Sequence, residues 1–510
     1  MATFDVIIVG GGSAGVTLAA RLSEDSSRSV LLIEAGSDGG TDAPEDRLAN
    51  VSFALTARDW GMRASIAPGR ELDYPQGRAL GGGSAVNGGL AFRGIPQDYD
   101  DWAAAGNPSW TWDQMLPCFR RLERDREFGT DARVHGDSGP VSIVRWSTDE
   151  LLPVQRGFRD ASTALGFAWN ADHNHPGTEG VGPFPMNRDG DIRISTRLAY
   201  LTTAHDRRNL TVWPDSHVGR IEVTGGRAVG VEVIHDGRLQ TVHGGEVVIS
   251  CGSIHSPALL ARSGIGPSET LRALGIECRI DNPAVGANLV DHPGAFVFAR
   301  PVAGGVGPVD PQYQVAIRCT SKVGTTSDLF VSMMNNWDLS VVPDFAAIVG
   351  ADSVVALTCG VHDPLSRGRV TLTSRDPMVP PRIELNLLDH PLDVARMIEG
   401  LRLCRAIAEH EAMSPFLAAV SLPTPAVFDD DDALGAYARS MVAGWYHPVG
   451  TCRMGPTLEG GSVVDDHLRV HGVEALRVVD ASIMPRITKA PTNLTAIAIG
   501  ERAADLIRSE

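Results

Sequence analysis

Asp5-Val-Ile-Ile-Val-Gly10-Gly-Gly12-Ser-Ala-Gly15 is the stretch that decides the fold. An apolar run with the character of a buried strand leads straight into glycines spaced G-x-G-x-x-G, and Val16 to Leu22 then carry a helical pattern. Ser29 to Ile33 is the next strand, again apolar throughout, as expected where both faces of a parallel sheet are covered. In such a βαβ unit the glycines make a tight turn and let a pyrophosphate approach the helix N-terminus, where backbone N–H groups point outward. The glycine motif alone is weak. Glu34 strengthens it, because it ends the second strand near the spacing at which a carboxylate accepts hydrogen bonds from an adenosine ribose. A turn that merely packs a helix on a sheet would need no acid there.

The same residues, Gly11-Gly12-Ser13-Ala14-Gly15, also satisfy G-x-S-x-G, the nucleophile elbow of serine hydrolases. That elbow follows several strands and needs an upstream oxyanion loop, whereas only Met1 to Gly10 precede this one. A serine hydrolase is therefore the minor alternative.

Working outward, Gly77 to Gly94 is too rich in glycine for a helix interior and reads as a loop or helix start approached closely by something. From Arg220 to Ser250, short alternating strands broken by Gly225-Gly226 and Asp236-Gly237 read as a meander that returns to a buried sheet. Gly294 to Met441 mixes alternating segments such as Ser353 to Thr358 with one clear helix, Asp393 to His410, and reads as a separate α+β cap. The chain closes on a strand at Leu476 to Val479 and a helix from Asn493 to Ile507. Asp429 to Asp432 precede an apolar helical pattern and read as a helix N-terminus rather than a cation site.

With 510 residues the chain is long enough for two domains, and its 43% hydrophobic and 21% charged residues are those of a globular enzyme. A net charge of -17 argues against a nucleic-acid partner, whose phosphates demand clustered Lys and Arg. Seven scattered cysteines form no metal or disulfide pattern. His173-x-His175 is half a metal site with no third ligand, so no metal is expected. No apolar run is long enough to span a bilayer and no secretory leader is legible, so the expected location is the cytoplasm.

Longer motifs carry a resemblance. Asp73 to Gly88, with Arg78, Gly81-Gly82-Gly83 and Asn87-Gly88, resembles the first signature of the glucose-methanol-choline (GMC) oxidoreductases, and Gly252 to Pro267 resembles the second. Val285-Gly286-x-Asn288-Leu289-x-Asp291-His292 and Tyr446-His447-Pro448-x-Gly450-Thr451 match further blocks in the same order. The resemblance spans Phe4 to Ile507. It implies an α/β fold with a Rossmann-like FAD-binding domain built from discontinuous segments, 1–155, 205–293 and 442–510. An inserted α+β substrate-binding domain with an antiparallel sheet would take up 156–204 and 294–441.

By the same resemblance, FAD would lie along Gly10, Gly12, Ser13, Ala14 and Gly15 and against Glu34 and Ala35. Arg78, Gly82, Gly83, Asn87, Gly88 and Ala91 would continue the site. The backbone of Val218 would meet the adenine, with Asp480, Ala481, Asn493 and Leu494 near the pyrophosphate, ribityl chain and flavin. Some choline-oxidising members attach FAD through a histidine just before the motif asparagine; Val86 stands there, so non-covalent FAD is expected.

Alcohol oxidation needs a base at the hydroxyl and a hydride acceptor at the carbon, and imidazole has a pKa suited to the first task. His447 occupies the family's active-site histidine position. Asn493 stands where other members carry histidine or asparagine, and an amide orients a hydroxyl without relaying its proton. His292 is expected to be structural. Trp445, Tyr446, Met333, Met334 and Trp337 are candidate substrate-lining residues. The activity implied is FAD-dependent oxidation of an alcohol, primary and aromatic or furanic, with oxygen or another redox carrier as acceptor. A hydroxynitrile lyase that keeps FAD is the second alternative.

Overall fold

The computed structural model describes residues 3–39, 46–48, 57–307, 311–338 and 353–510. Its first unit is the expected one: strand β1 (Thr3–Val9), helix α1 (Ser13–Leu22) and strand β2 (Val30–Ile33). β1 and β2 pair in parallel from Val6 opposite Val30 to Val9 opposite Ile33. Ile7, Ile8, Leu31 and Leu32 are fully buried, which explains why neither strand alternates.

The chain then gives strand β3 (Gly180–Pro183) to a second sheet and returns with β4 (Leu210–Trp213), β5 (His217–Thr224), β6 (Arg227–His235) and β7 (Arg238–Ile249). The first sheet runs β4-β2-β1-β7-β6-β5, and Leu476–Val478 adds in parallel to the end of β7. The two hairpins turn where the sequence places them. Gly225 and Gly226 have φ of 59° and 81°, Asp236 and Gly237 of 50° and 72°, the paired positive values that a two-residue turn of matching twist requires. Helix α2 (Gly252–Arg262) follows β7 directly.

The second sheet is antiparallel. Strands β8 (Pro293–Pro301), β9 (Val315–Cys319), β10 (Leu329–Asp338) and β11 (Ser353–Val361) join β3 and a later strand in it. Helix α3 (Pro391–Ala408) covers one face, and β12 (Leu417–Leu422) completes the order β12-β8-β11-β10-β9-β3. The cap predicted from alternation is thus a sheet with a helix behind it. α3 approaches β11 so closely that a Cβ on Gly400 would stand 1.9 Å from the Cys359 sulfur. The acids at 429–432 do start a helix, with the Asp430 carboxylate accepting from the Ala433 N–H. Helix α4 (Asn493–Arg508) ends the chain and packs on α1, where Gly500 meets the backbone of Ala14.

Candidate active site

One cavity of about 1620 Å³ runs from the first glycine turn, between the two sheets, to the face of the second sheet away from α3. At its first end the glycines divide their labour. A Cβ on Gly15 would lie 2.0 Å from the Gly10 carbonyl oxygen, and one on Gly10, whose φ is 104°, 2.4 Å from that of Ser250. Both are required by the protein's own packing. A Cβ on Gly12 would meet nothing closer than 3.9 Å, and one on Gly83 nothing at all within 4 Å, yet both line the cavity. The space they leave open belongs to a ligand.

Glu34 accepts the Gly11 N–H on one oxygen and the Gly36 N–H on the other, each at 2.8 Å, while burial pushes its carboxyl up to about 7. Each oxygen keeps a second lone pair for a ribose hydroxyl. The two glycine stretches also meet, since the Gly81 N–H donates to the Gly11 carbonyl at 2.7 Å. Farther along, His255 lies 4.2 Å from the ring of Trp60 with its buried Nε2 lacking a partner among the described residues, a free polar atom beside Val218. An open glycine cradle, an acid with spare lone pairs and an orphaned imidazole nitrogen together fit an extended dinucleotide such as FAD.

Most expected cofactor residues reach this cavity. Gly10, Gly12, Ser13 and Ala14 line it from the first turn, followed by Glu34 and Ala35; Gly82, Gly83, Asn87 and Gly88 line it from the second stretch. Val218, Asp480, Ala481 and Asn493 close it. Four do not line it. Gly15 serves the packing just described. Arg78 lays its guanidinium over Trp60, 5.0 Å from the ring centroid. Ala91 has its N–H and carbonyl engaged by Pro185 and Asn174, and Leu494 is buried in the first turn of α4.

His447 lines the far half of the cavity on a segment held by Asp291. One Asp291 oxygen accepts the His447 N–H at 2.9 Å, and the other accepts the Tyr446 N–H at 3.2 Å and the Tyr74 hydroxyl at 2.7 Å. This grip holds Tyr446 at a φ of 62°, where a tyrosine does not rest unaided. Burial pushes the His447 imidazole down to about 4, so it is neutral at physiological pH and able to accept a proton. Its Nδ1 lies 3.0 Å from Nδ1 of His292, a contact that a separation of 155 positions hides from sequence reading.

Trp445 sits in a slot cut by glycines. Gly294 on β8 pairs with Gly360 on β11, and a Cβ on either would stand 1.9 Å or 2.4 Å from the indole. Phe184, Tyr313 and Phe330 line the same end, while Trp337 lines the cavity farther along β10, against Phe296 at 5.2 Å. Met333 does not: its side chain joins the fully buried core under α3, and Met334 faces the cavity in its place. Alternation allows only one of two neighbours on a face. A bulge between Met334 and Trp337 then brings Asn336 and Trp337 both to the lining.

Two sequence profiles described as GMC oxidoreductase match residues 4–294 and 364–500. The chain belongs to the GMC oxidoreductase family. It is 36% identical to 5-(hydroxymethyl)furfural oxidase of Methylovorus sp. (strain MP688) over 99% of both chains. Among solved structures it superposes on pyridoxine 4-oxidase from Mesorbium loti with a TM-score of 0.90 and 31% identity, covering 99% of each chain. An FAD-dependent oxidoreductase from Chaetomium thermophilum superposes with a TM-score of 0.82 and 26% identity, again over 99% of each. As a GMC oxidoreductase the chain is an FAD-dependent enzyme acting on alcohol groups. The hydrolase alternative fails on geometry as well, since Ser13 donates its hydroxyl to Asn493 Oδ1 at 2.7 Å instead of meeting a base.

One cluster in this GMC oxidoreductase was not anticipated. Glu123, Asp125 and His135 bring ligand-type atoms within 4.8 Å of one another. Arg93 contacts Glu123 at 2.5 Å, Arg145 contacts Asp125 at 2.8 Å and Asp172 at 2.6 Å, and His135 reaches Asp172 at 2.8 Å. Burial opposes charge on His135, but hydrogen bonds to Asp172 and Glu123 prevail and raise it to about 9. Glu127 adds a half-exposed fourth carboxylate 3.3 Å from Arg145, and the buried acids Glu123, Asp125 and Asp172 are each already paired with Arg93, Arg145 or an imidazolium in an ion network.

Proposed function

We propose that this GMC oxidoreductase oxidises a primary alcohol borne on an aromatic or heteroaromatic ring to the aldehyde, with His447 as base. The observation that carries the proposal is the position of His447, neutral by burial, in one cavity with the open glycine cradle and a cluster of Phe184, Tyr313, Phe330 and Trp445. Flat rings pack against aromatic faces and edges with a geometric preference that aliphatic chains lack. The names of two relatives agree, one a furfural carrying a hydroxymethyl group and one pyridoxine.

In this reading His447 takes the hydroxyl proton while the Asn493 amide, its oxygen already accepting from Ser13, holds the substrate oxygen through its N–H group. Bound FAD supplies the hydride acceptor. The N-terminus of α4, opening at Asn493, offers a positive end to charge developing on the cofactor. Val86 lines the cavity at the position of covalent attachment and offers only carbon, which supports non-covalent FAD. Oxygen or another redox carrier reoxidises the enzyme. The division into 1–155, 205–293, 442–510 and 156–204, 294–441 is supported by the segments the two seven-stranded sheets draw on, although Ala443–Gly444 pairs with β8 of the second sheet, and smaller sheets pair Arg63–Ala67 with Arg382–Glu384 and Val141–Arg145 with Pro185–Met186 across it. A cytoplasmic location is supported by seven free cysteines, and among the described residues no helix is long and apolar enough to cross a membrane.

The test is anaerobic mixing of holoenzyme with benzylic, furfuryl, aliphatic and amino alcohols, followed by air. Aromatic carbinols are expected to bleach the flavin fastest, and recovery in air would identify oxygen as acceptor. With a saturating aromatic carbinol, the bleaching rate is expected to stay level from neutral pH down to about pH 5 and to halve near pH 4, because protonation removes the accepting lone pair of His447. An unbleached flavin with every alcohol, or a midpoint near pH 7, would contradict the reading.

A further inference from the structure

Each ring nitrogen of His292 makes one hydrogen-bond contact, and together the two determine where the protons sit on both histidines. Its Nε2 lies 3.0 Å from the carbonyl oxygen of Thr488, and its Nδ1 lies 3.0 Å from Nδ1 of His447. A carbonyl only accepts, so the Nε2 of His292 must carry a hydrogen. A neutral imidazole carries one hydrogen, which leaves the His292 Nδ1 as a bare acceptor, and the hydrogen in the second contact must then come from His447. We propose that His292 is a positioning residue that fixes the His447 tautomer, keeping hydrogen on Nδ1 and leaving Nε2 as the lone pair presented to the alcohol.

The surroundings keep His292 neutral. It is fully buried, and the ring of His362 stacks on it at 4.4 Å and 24°, itself stacked on Phe330 at 4.9 Å. Burial pushes both imidazoles well below their ordinary range. The other charged or titratable neighbours are Asp291, Tyr74 and Tyr446 on the side of the His447 backbone and Arg318 beyond His362, whose guanidinium is spent on the carbonyls of His173 and Lys489. None of these side chains hydrogen-bonds to either Nδ1 atom. When His447 takes the substrate proton on Nε2, the bond to His292 becomes charge-assisted and strengthens. His292 would thus support the imidazolium as the carboxylate does in a catalytic triad, without contributing a charge of its own.

The inference rests on His447 as base, and two measurements separate the two claims. In protein labelled with ¹⁵N-histidine, the His447 signal, identified by its loss in His447→Asn, is expected to show hydrogen on Nδ1 and a bare Nε2 in wild type and a mixture of both tautomers in His292→Leu. In stopped flow, FAD-loaded His292→Leu is expected to reduce its flavin roughly 10- to 100-fold more slowly, the scale on which hydrogen-bond partners that orient a metal-binding imidazole act. Hydrogen on Nε2 in wild type overturns the inference, even if His292→Leu does not fold. An unchanged rate in folded His292→Leu also overturns it. A wild-type rate in His447→Asn would instead sink the reading of His447 itself.

Discussion

His447→Ala is expected to fold, to retain yellow FAD and to reduce its flavin about 10²- to 10⁴-fold more slowly than wild type with a saturating aromatic carbinol. The expected drop corresponds to about 3–5 kcal/mol of transition-state stabilisation. The fold should survive because the segment is held through its backbone. Asp291 takes the N–H groups of residues 446 and 447 and the Tyr74 hydroxyl, and none of these bonds involves the imidazole. The lost Nδ1 contact leaves His292 with its bond to Thr488 intact. A defect confined to bleaching rate, with unchanged flavin content and melting temperature, would place the imidazole in the proton transfer. Bleaching within a few-fold of wild type would remove it.

The parts of this enzyme legible in the sequence are those whose physics is local. β1, the glycine turn and α1 follow from consecutive residues, and the hairpins after β5 and β6 follow from dipeptides that tolerate positive φ. α3 starts two residues before its expected first residue because Pro391 suits the first helical position and His390 caps Leu392. His447 and Asn493 were recognised from motifs, and both line the cavity.

What stayed hidden depends on partners distant in the chain. His292 was expected to be structural because nothing near it in sequence shows that its ring meets His447. The slot for Trp445 is made by two glycines on paired strands 66 positions apart, neither conspicuous among 55 glycines. Which of Met333 and Met334 faces the cavity is not legible, because Met-Met-Asn-Asn-Trp has no alternation from which to read a register. Arg78, Ala91 and Leu494 sit inside the motifs without lining the cavity, since a motif marks a segment and not the atoms that reach a surface.

The same distinction applies inside the first turn, where two alanine substitutions should separate folding from cofactor binding. Gly15→Ala places a methyl group 2.0 Å from the Gly10 carbonyl, an atom fixed by backbone, so α1 must move off the sheet. Overpacking of this kind costs about 1–3 kcal/mol, and thermal stability should fall with or without FAD. Gly12→Ala meets only Ser250 O at 3.9 Å, and its backbone, at φ -81° and ψ -165°, suits any residue. The apoprotein should therefore melt as wild type does. The added methyl instead enters the space on the cavity side of the helix N-terminus, where the cofactor's pyrophosphate would sit against the first N–H groups of α1. The same 1–3 kcal/mol then falls on binding, and the FAD dissociation constant should rise about 5- to 150-fold. Fluorescence titration of apoprotein measures it directly, provided that denaturation releases all FAD from wild type, as Val86 leads one to expect. If Gly12→Ala lowered the melting temperature of apoprotein while leaving FAD affinity unchanged, the open side of Gly12 would have no bearing on the cofactor, and the glycine cradle would be a packing device throughout.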